Sequence, residues 1–192
     1  MEDDGRGLPH GLKAASADSK NRAATVRERS RIRFTLACLS ILEGCRKGLT
    51  TMLKNVPTVI SPELMKTLME MGHGDEIVIA DGNFPAASVA QRLIRCDGHG
   101  VPEVLEAVLK FFPLDIYVDK PVALMAVVQG DKTKPTIWEQ YRKIISSSGE
   151  TLTDFDFVER FAFYERAKKA YAVVATSEKA LYANMILKKG VI

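Results

Sequence analysis

From Ser61 to Pro85 the chain sets out a helix start, a glycine stop, a short apolar run and a turn in unbroken succession, the punctuation of an α/β domain. Ser61 offers a hydroxyl at the N-cap, Pro62 presets the first turn, and Glu63 brings a negative charge to the positive end of the helix dipole. Leu64, Leu68 and Met71 mark the apolar face of this helix, which Gly72 ends. Glu76-Ile77-Val78-Ile79-Ala80 then reads as a short, largely buried strand. Asp81-Gly82-Asn83-Phe84-Pro85 cannot prolong it, because Gly and Asn favour turns and Pro supplies no donor to a ladder. A loop is expected at the C-terminal end of that strand.

The same texture runs to the C-terminus. Strands are expected at Leu93 to Cys96, Val122 to Val128, from Phe155 toward Arg160, Tyr171 to Ala175 and Leu181 to Leu187. Helices are expected over Pro102 to Phe112, Ile137 to Ser147 and Phe163 to Ala170, with Phe161, Phe163 and Tyr164 read as core. At 192 residues the chain has the size of one domain, or of one domain plus a tail. The change of texture near Met52 sets the expected boundary: residues 1–51 form a poorly ordered N-terminal extension, and residues 52–192 the folded domain.

The formal net charge of +3 is unevenly placed. Residues 1–51 carry ten Lys/Arg against six Asp/Glu, and residues 52–192 carry seventeen against eighteen. The folded part has no excess with which to neutralise a phosphate backbone, so nucleic-acid binding is disfavoured there. Cys38, Cys45 and Cys96 fit neither a disulfide framework nor a Cys-x-x-Cys site, which points to a reducing, cytoplasmic setting. The longest apolar run, Phe34 to Leu42, is too short to cross a bilayer, and no membrane association is expected. Arg27, Arg29, Arg31 and Arg33 precede that run as in a secretory or transit leader, but the run lies deep in the chain and Glu2, Asp3, Asp4 and Asp18 precede it.

No Gly-x-Gly-x-x-Gly, Walker loop, Gly-x-Ser-x-Gly elbow or His-Glu-x-x-His is present, and no two of the three His stand at metal-ligand spacing. Acid-base chemistry on a small molecule remains. His73, between Gly72 and Gly74 at a helix-to-strand junction, is accessible and has the side chain suited to proton transfer near neutrality; a loop histidine bonded to a carbonyl is the competing reading. Asp81 stands where ligands bind in open α/β sheets, outside the carboxyl end of a strand, although Asp in such a place also forms turns. Asn83 has a weaker claim of the same kind. Tyr182 and Asn184, at i and i+2 on the expected last strand, would share a face and suit the hydroxyls of a sugar, or else form a solvated edge. Arg160 reads locally as a surface ion pair with Glu159 or Asp156.

Six segments together carry a family resemblance: Ile60-Ser61-Pro62-Glu63-Leu64, Met71 to Asp81, Asn83-Phe84-Pro85-Ala86, Pro102 to Ala107, Glu159 to Ala170 and Leu181 to Val191. In these the chain resembles the fucose branch of the ribose pyranase/fucose mutarotase family, from about Met52 to Ile192. The resemblance implies a three-layer α/β/α fold with a mixed central sheet, a single domain apart from the extension. It implies interconversion of the α and β anomers of L-fucose, with no metal and no cofactor. His73 takes the place of the proton donor. Asp81, Arg160, Tyr182 and Asn184 take the places of the sugar-binding side chains, with Ala183 contributing through its backbone. It implies homo-oligomers with the sugar pocket near subunit contacts. Two alternatives stay open, a ribose-type pyranose–furanose interconversion and a monosaccharide-binding module without catalysis. Ser177 departs from the family, which has Gly there, and a positive φ at that position would strain it.

Overall fold

The computed structural model describes residues 53–192. The expected extension over residues 1–51, with Cys38, Cys45 and the run from Phe34 to Leu42, lies outside the described residues. Strand β1 (Glu76–Ala80) is the centre of the architecture because it has no polar face. Ile77 and Ile79 enter one core while Val78 and Ala80 enter another, so helices must cover both sides of the sheet.

The elements follow in the order α1 (Pro62–Glu70), β1, α2 (Ala86–Val89), β2 (Leu93–Cys96), α3 (Val101–Val108), β3 (Val122–Met125), α4 (Ile137–Ser147), β4 (Asp156–Val158), α5 (Arg160–Lys169), β5 (Ala172–Thr176) and β6 (Met185–Lys188). The strands lie side by side as β2-β5-β1-β6-β3-β4. β1 and β2 each run parallel to β5, and β3 runs parallel to β4. β6 inserts antiparallel between β1 and β3, which makes the sheet mixed. Leu64 and Leu68 of α1, Val104 and Leu105 of α3, and Tyr141 and Ile145 of α4 pack on one face. Phe163 and Ala167 of α5 and Ala86 of α2 pack on the other, giving three layers.

Local chemistry explains where the elements begin. The Ser61 hydroxyl accepts the Leu64 N–H at 3.1 Å and caps α1 as expected, and α4 spans the anticipated residues. α5 starts earlier than its aromatic and alanine pattern suggests, because the Glu159 carboxylate accepts the N–H groups of Phe161 at 2.7 Å and Ala162 at 3.1 Å. That cap confines β4 to three residues. Phe161, expected in the core, is 62% exposed, whereas Phe163 two positions on is fully buried. Asp156 pairs with Arg166 at 3.0 Å rather than with Arg160, and the same guanidinium holds Glu76 at 2.9 Å.

The largest difference lies before β6. The last strand begins at Met185, so Tyr182 and Asn184 do not share a strand face. Tyr182 has φ +58°, a left-handed conformation that no strand accommodates. Ser177 is not in that region; its hydroxyl accepts the Gly98 N–H at 2.9 Å. The backbone strain anticipated at Ser177 therefore falls on Tyr182.

Past β6, Gly190 lets two segments meet with no side chain between them. Its N–H donates to Pro113 O at 2.8 Å, and the Asp115 N–H donates to Lys188 O at 3.1 Å. A Cβ at Gly190 would collide with the Leu114 carbonyl and lie 2.9 Å from the Asp115 Cα. Gly190→Ala is expected to lower the unfolding free energy by about 1–3 kcal/mol in urea denaturation. A variant as stable as the wild type would contradict this close approach.

Candidate active site

Asp81 anchors a pocket of about 240 Å³ beyond the carboxyl end of β1. Its side chain is buried and held at both oxygens: one accepts the Asn83 N–H at 2.9 Å, and the other accepts the Asn184 amide at 2.7 Å. Asn184 returns the contact, its carbonyl oxygen accepting the Asp81 N–H at 2.9 Å. Burial pushes the Asp81 carboxyl above its ordinary range, and the N–H groups of Asn83 and Phe84 and the Asn184 amide oppose that rise. Ala183 is buried beneath the pocket. Its carbonyl is taken by the Tyr141 hydroxyl at 2.8 Å, and its backbone faces the Asp81 carboxylate.

Arg160, Tyr164 and Tyr182 complete the polar lining, while Phe84, Met125 and Leu181 supply apolar wall. Arg160 is the first residue of α5, with its guanidinium 4.8 Å from the centre of the Phe161 ring. Among the described residues it makes no salt bridge, which leaves its charge turned to the pocket. The Tyr182 carbonyl accepts the Trp138 indole N–H at 2.9 Å, and its hydroxyl donates to Asp131 at 2.5 Å. An acceptor-rich floor, one cation and an apolar wall can grip a polyol that has one hydrophobic side.

His73 stands at the other end of β1. The Gly74 N–H, at φ +86°, donates to Lys189 O at 2.8 Å and turns the chain so that the imidazole side chain is 47% exposed. The His73 Nε2 lies 3.4 Å from Asp115 Oδ1, and the ring meets Tyr117 edge-on with centroids 5.7 Å apart. Asp115 is held below the usual carboxylate range by the Tyr117 N–H and by His73. Asp115 is an acceptor placed to favour a proton on Nε2 of His73.

The chain thus brings Asp81, Arg160, Tyr182 and Asn184 around one pocket, with Ala183 beneath it, and does not bring His73 there. The length of β1 separates them, roughly 17 Å at the usual rise of a strand. Sequence reading missed Asp115, Asp131 and Tyr164. Tyr164 carried a signal, since it lies one helical turn after Arg160, whereas the two aspartates lie in loops with none. A larger groove of about 400 Å³ between α3 and α4, lined by Leu109, Ile144, Lys110 and Lys143, gathers no comparable set of groups. Among the described residues no cluster of His, Cys, Asp and Glu can hold a metal ion, and no helix is long and apolar enough to cross a membrane.

Known proteins are similar to this chain in sequence and in fold. The chain is 53% identical over 146 residues to the fucose mutarotase of Homo sapiens, covering 73% of this chain and 94% of the relative. It is 50% identical over 140 residues to an L-fucose mutarotase of Actinobacillus pleuropneumoniae, covering 73% of this chain and 97% of the relative. A crystal structure of the Streptococcus pneumoniae fucose mutarotase in complex with L-fucose superposes with a TM-score of 0.70 at 57% identity, covering 73% of this chain and 99% of that one. The model of the RbsD / FucU transport protein family matches residues 54–192, which takes in every element described above, and the chain belongs to that family.

Proposed function

We infer that the chain is an L-fucose mutarotase, an isomerase that interconverts the α and β anomers of the free sugar. One observation carries this reading: half or more of the aligned residues are identical to those of fucose mutarotases, one of which has been seen with L-fucose bound. The pocket is consistent with it. Asp81 and Arg160 offer charge-assisted hydrogen bonds to sugar hydroxyls, Asn184 fixes Asp81, and Phe84, Met125 and Leu181 face the apolar side of a 6-deoxy sugar.

The reaction exchanges protons and breaks one ring bond. A proton reaches the ring oxygen as its bond to the anomeric carbon breaks, and another leaves the anomeric hydroxyl, giving the open-chain aldehyde. The carbonyl turns and the ring closes on its other face. Neither oxidation nor a covalent enzyme intermediate enters this balance. A positioned acid or base contributes roughly 10²–10⁴-fold to such a step. We assign that role to His73, with Asp115 fixing its tautomer.

His73 cannot reach the Asp81 pocket of its own chain across β1, so the assignment requires a second copy to present its His73 end to this pocket. Both ends have apolar surface for such a contact. Ile116 and Tyr117 beside His73 are each 72% exposed, and Phe161 and Leu181 near the pocket are 62% and 57% exposed. Two unlike patches meeting in this way make a head-to-tail interface, which closes into a ring when the rotation allows. The enzyme is then a homo-oligomer with shared sites. We place the chain in a reducing, cytoplasmic setting, which suits the buried thiol of Cys96. A binding module without turnover is the second reading, favoured by the absence of His73 from the pocket of a single chain.

Saturation-exchange NMR on equilibrated L-fucose separates these readings, since a binding module leaves anomer exchange at the buffer rate. His73→Ala is expected to cut the maximal exchange rate by about 10²–10⁴-fold with nearly unchanged sugar affinity. Asn184→Ala should weaken affinity by about 1–3 kcal/mol, because it removes a partner of the buried Asp81 as well as a group of the pocket. Neither variant alone should turn sugar over normally, yet the two co-expressed should recover exchange, because some interfaces pair an intact His73 with an intact Asn184. A mixture as inactive as its parts would refute the shared site. We further propose residues 52–192 as the functional unit: a chain lacking residues 1–51 should exchange L-fucose at the wild-type rate per site, and loss of that rate would reject the boundary.

A further inference from the structure

The loop after β3 places a carboxylate on the one pocket residue whose backbone is strained. Among the described residues only Asn55 and Tyr182 are non-glycine positions in the left-handed region, and Tyr182 is the one that lines the pocket. Asn tolerates such a φ through its short polar side chain; a tyrosine does so only where its surroundings fix it. Two contacts hold the backbone here, from Trp138 to the Tyr182 carbonyl and from Tyr141 to the Ala183 carbonyl.

The side chain is held by Asp131 alone among charged groups. Asp131 is itself anchored: its Oδ1 accepts the Thr133 N–H at 2.9 Å and the Thr133 hydroxyl at 2.6 Å, leaving Oδ2 to accept the Tyr182 O–H at 2.5 Å. The Val128 N–H approaches the same phenol oxygen at 3.4 Å. A phenol has one proton to donate, and here it is spent on Asp131. What Tyr182 retains for a ligand is a lone pair.

We propose that Asp131 is a positioning residue for sugar recognition: by accepting the Tyr182 O–H hydrogen bond it fixes the ring over the pocket and leaves the phenol oxygen only an acceptor's role, so that the sugar must present a hydroxyl donor to it. The inference rests on the sugar-binding reading of the pocket. The other ionisable groups lining it are Asp81, Arg160 and Tyr164. Arg160 favours the phenolate of Tyr182, whereas Asp131 and burial raise the phenol above its ordinary range, Asp131 most of all. The Asp131 carboxylate thus favours the protonated phenol, whose O–H points to Oδ2 and away from the pocket.

Asp131→Asn preserves shape and removes the charge. Alkaline near-ultraviolet difference titration of wild type and Asp131→Asn, each against its Tyr182→Phe counterpart, isolates one phenol among five tyrosines and needs no sugar. The expected result is that Tyr182 ionises at lower pH in Asp131→Asn. L-fucose affinity should fall by roughly fivefold to thirtyfold with maximal exchange changed much less, and the double variant should bind no more weakly than Tyr182→Phe alone. An unshifted phenol overturns the proposal, as does a loss of affinity just as large in the Tyr182→Phe background, which would mean that Asp131 acts apart from Tyr182. A wild-type protein that fails to exchange L-fucose refutes the mutarotase reading by itself, and the titration still decides whether Asp131 governs Tyr182.

Discussion

The reciprocal pair between Asp81 and Asn184 is the constraint on which the pocket depends. A buried carboxylate is tolerated only with its lone pairs occupied, and the partner here comes from 103 residues away. Asn184 matches Asp81 twice, amide to carboxylate and carbonyl to backbone N–H, so neither side chain can turn without unpairing both. That double contact fixes where the chain must arrive before it enters β6. It also draws the Tyr182 segment over the mouth of the pocket.

The central sheet distributes chemistry between its two ends. Strands buried on both faces cannot display functional groups along their length, so what reacts stands in the loops at either extremity. One end gathers acceptors around a cation; the other presents an imidazole backed by a carboxylate. The pocket around Asp81 and the imidazole of His73 thus stand at opposite ends of β1.

Much of this was legible from local pattern, and the exceptions share a cause. The cap at Ser61, the apolar β1, the turn after it and the whole of α4 follow from propensity and periodicity, and there sequence and structure agree. Residues 181–184 read as strand because Leu, Tyr, Ala and Asn continue the apolar run of β6; the left-handed Tyr182 is imposed by Trp138 and Tyr141 from α4, which no local window contains. The start of α5 was hidden for a related reason, since Glu159 is an unusual cap whose two bonds become visible only in three dimensions. His73 and Asp81 are eight residues apart in sequence. An intervening strand sets them at its two ends, whereas Asp81 and Asn184 touch although 103 residues separate them.

The indole bond to the Tyr182 carbonyl has a practical side. Trp138 is the single tryptophan of the chain, and its N–H is tied to Tyr182, which lines the pocket around Asp81. Its ring also stacks at an angle on Phe157, with centroids 5.1 Å apart, in a partly exposed setting. Indole emission responds to the polarity and hydrogen bonding around the ring, so whatever moves Tyr182 changes the colour or intensity of light from one defined place. The fold has in effect wired an optical gauge to the segment leading into β6, one that works with unlabelled protein.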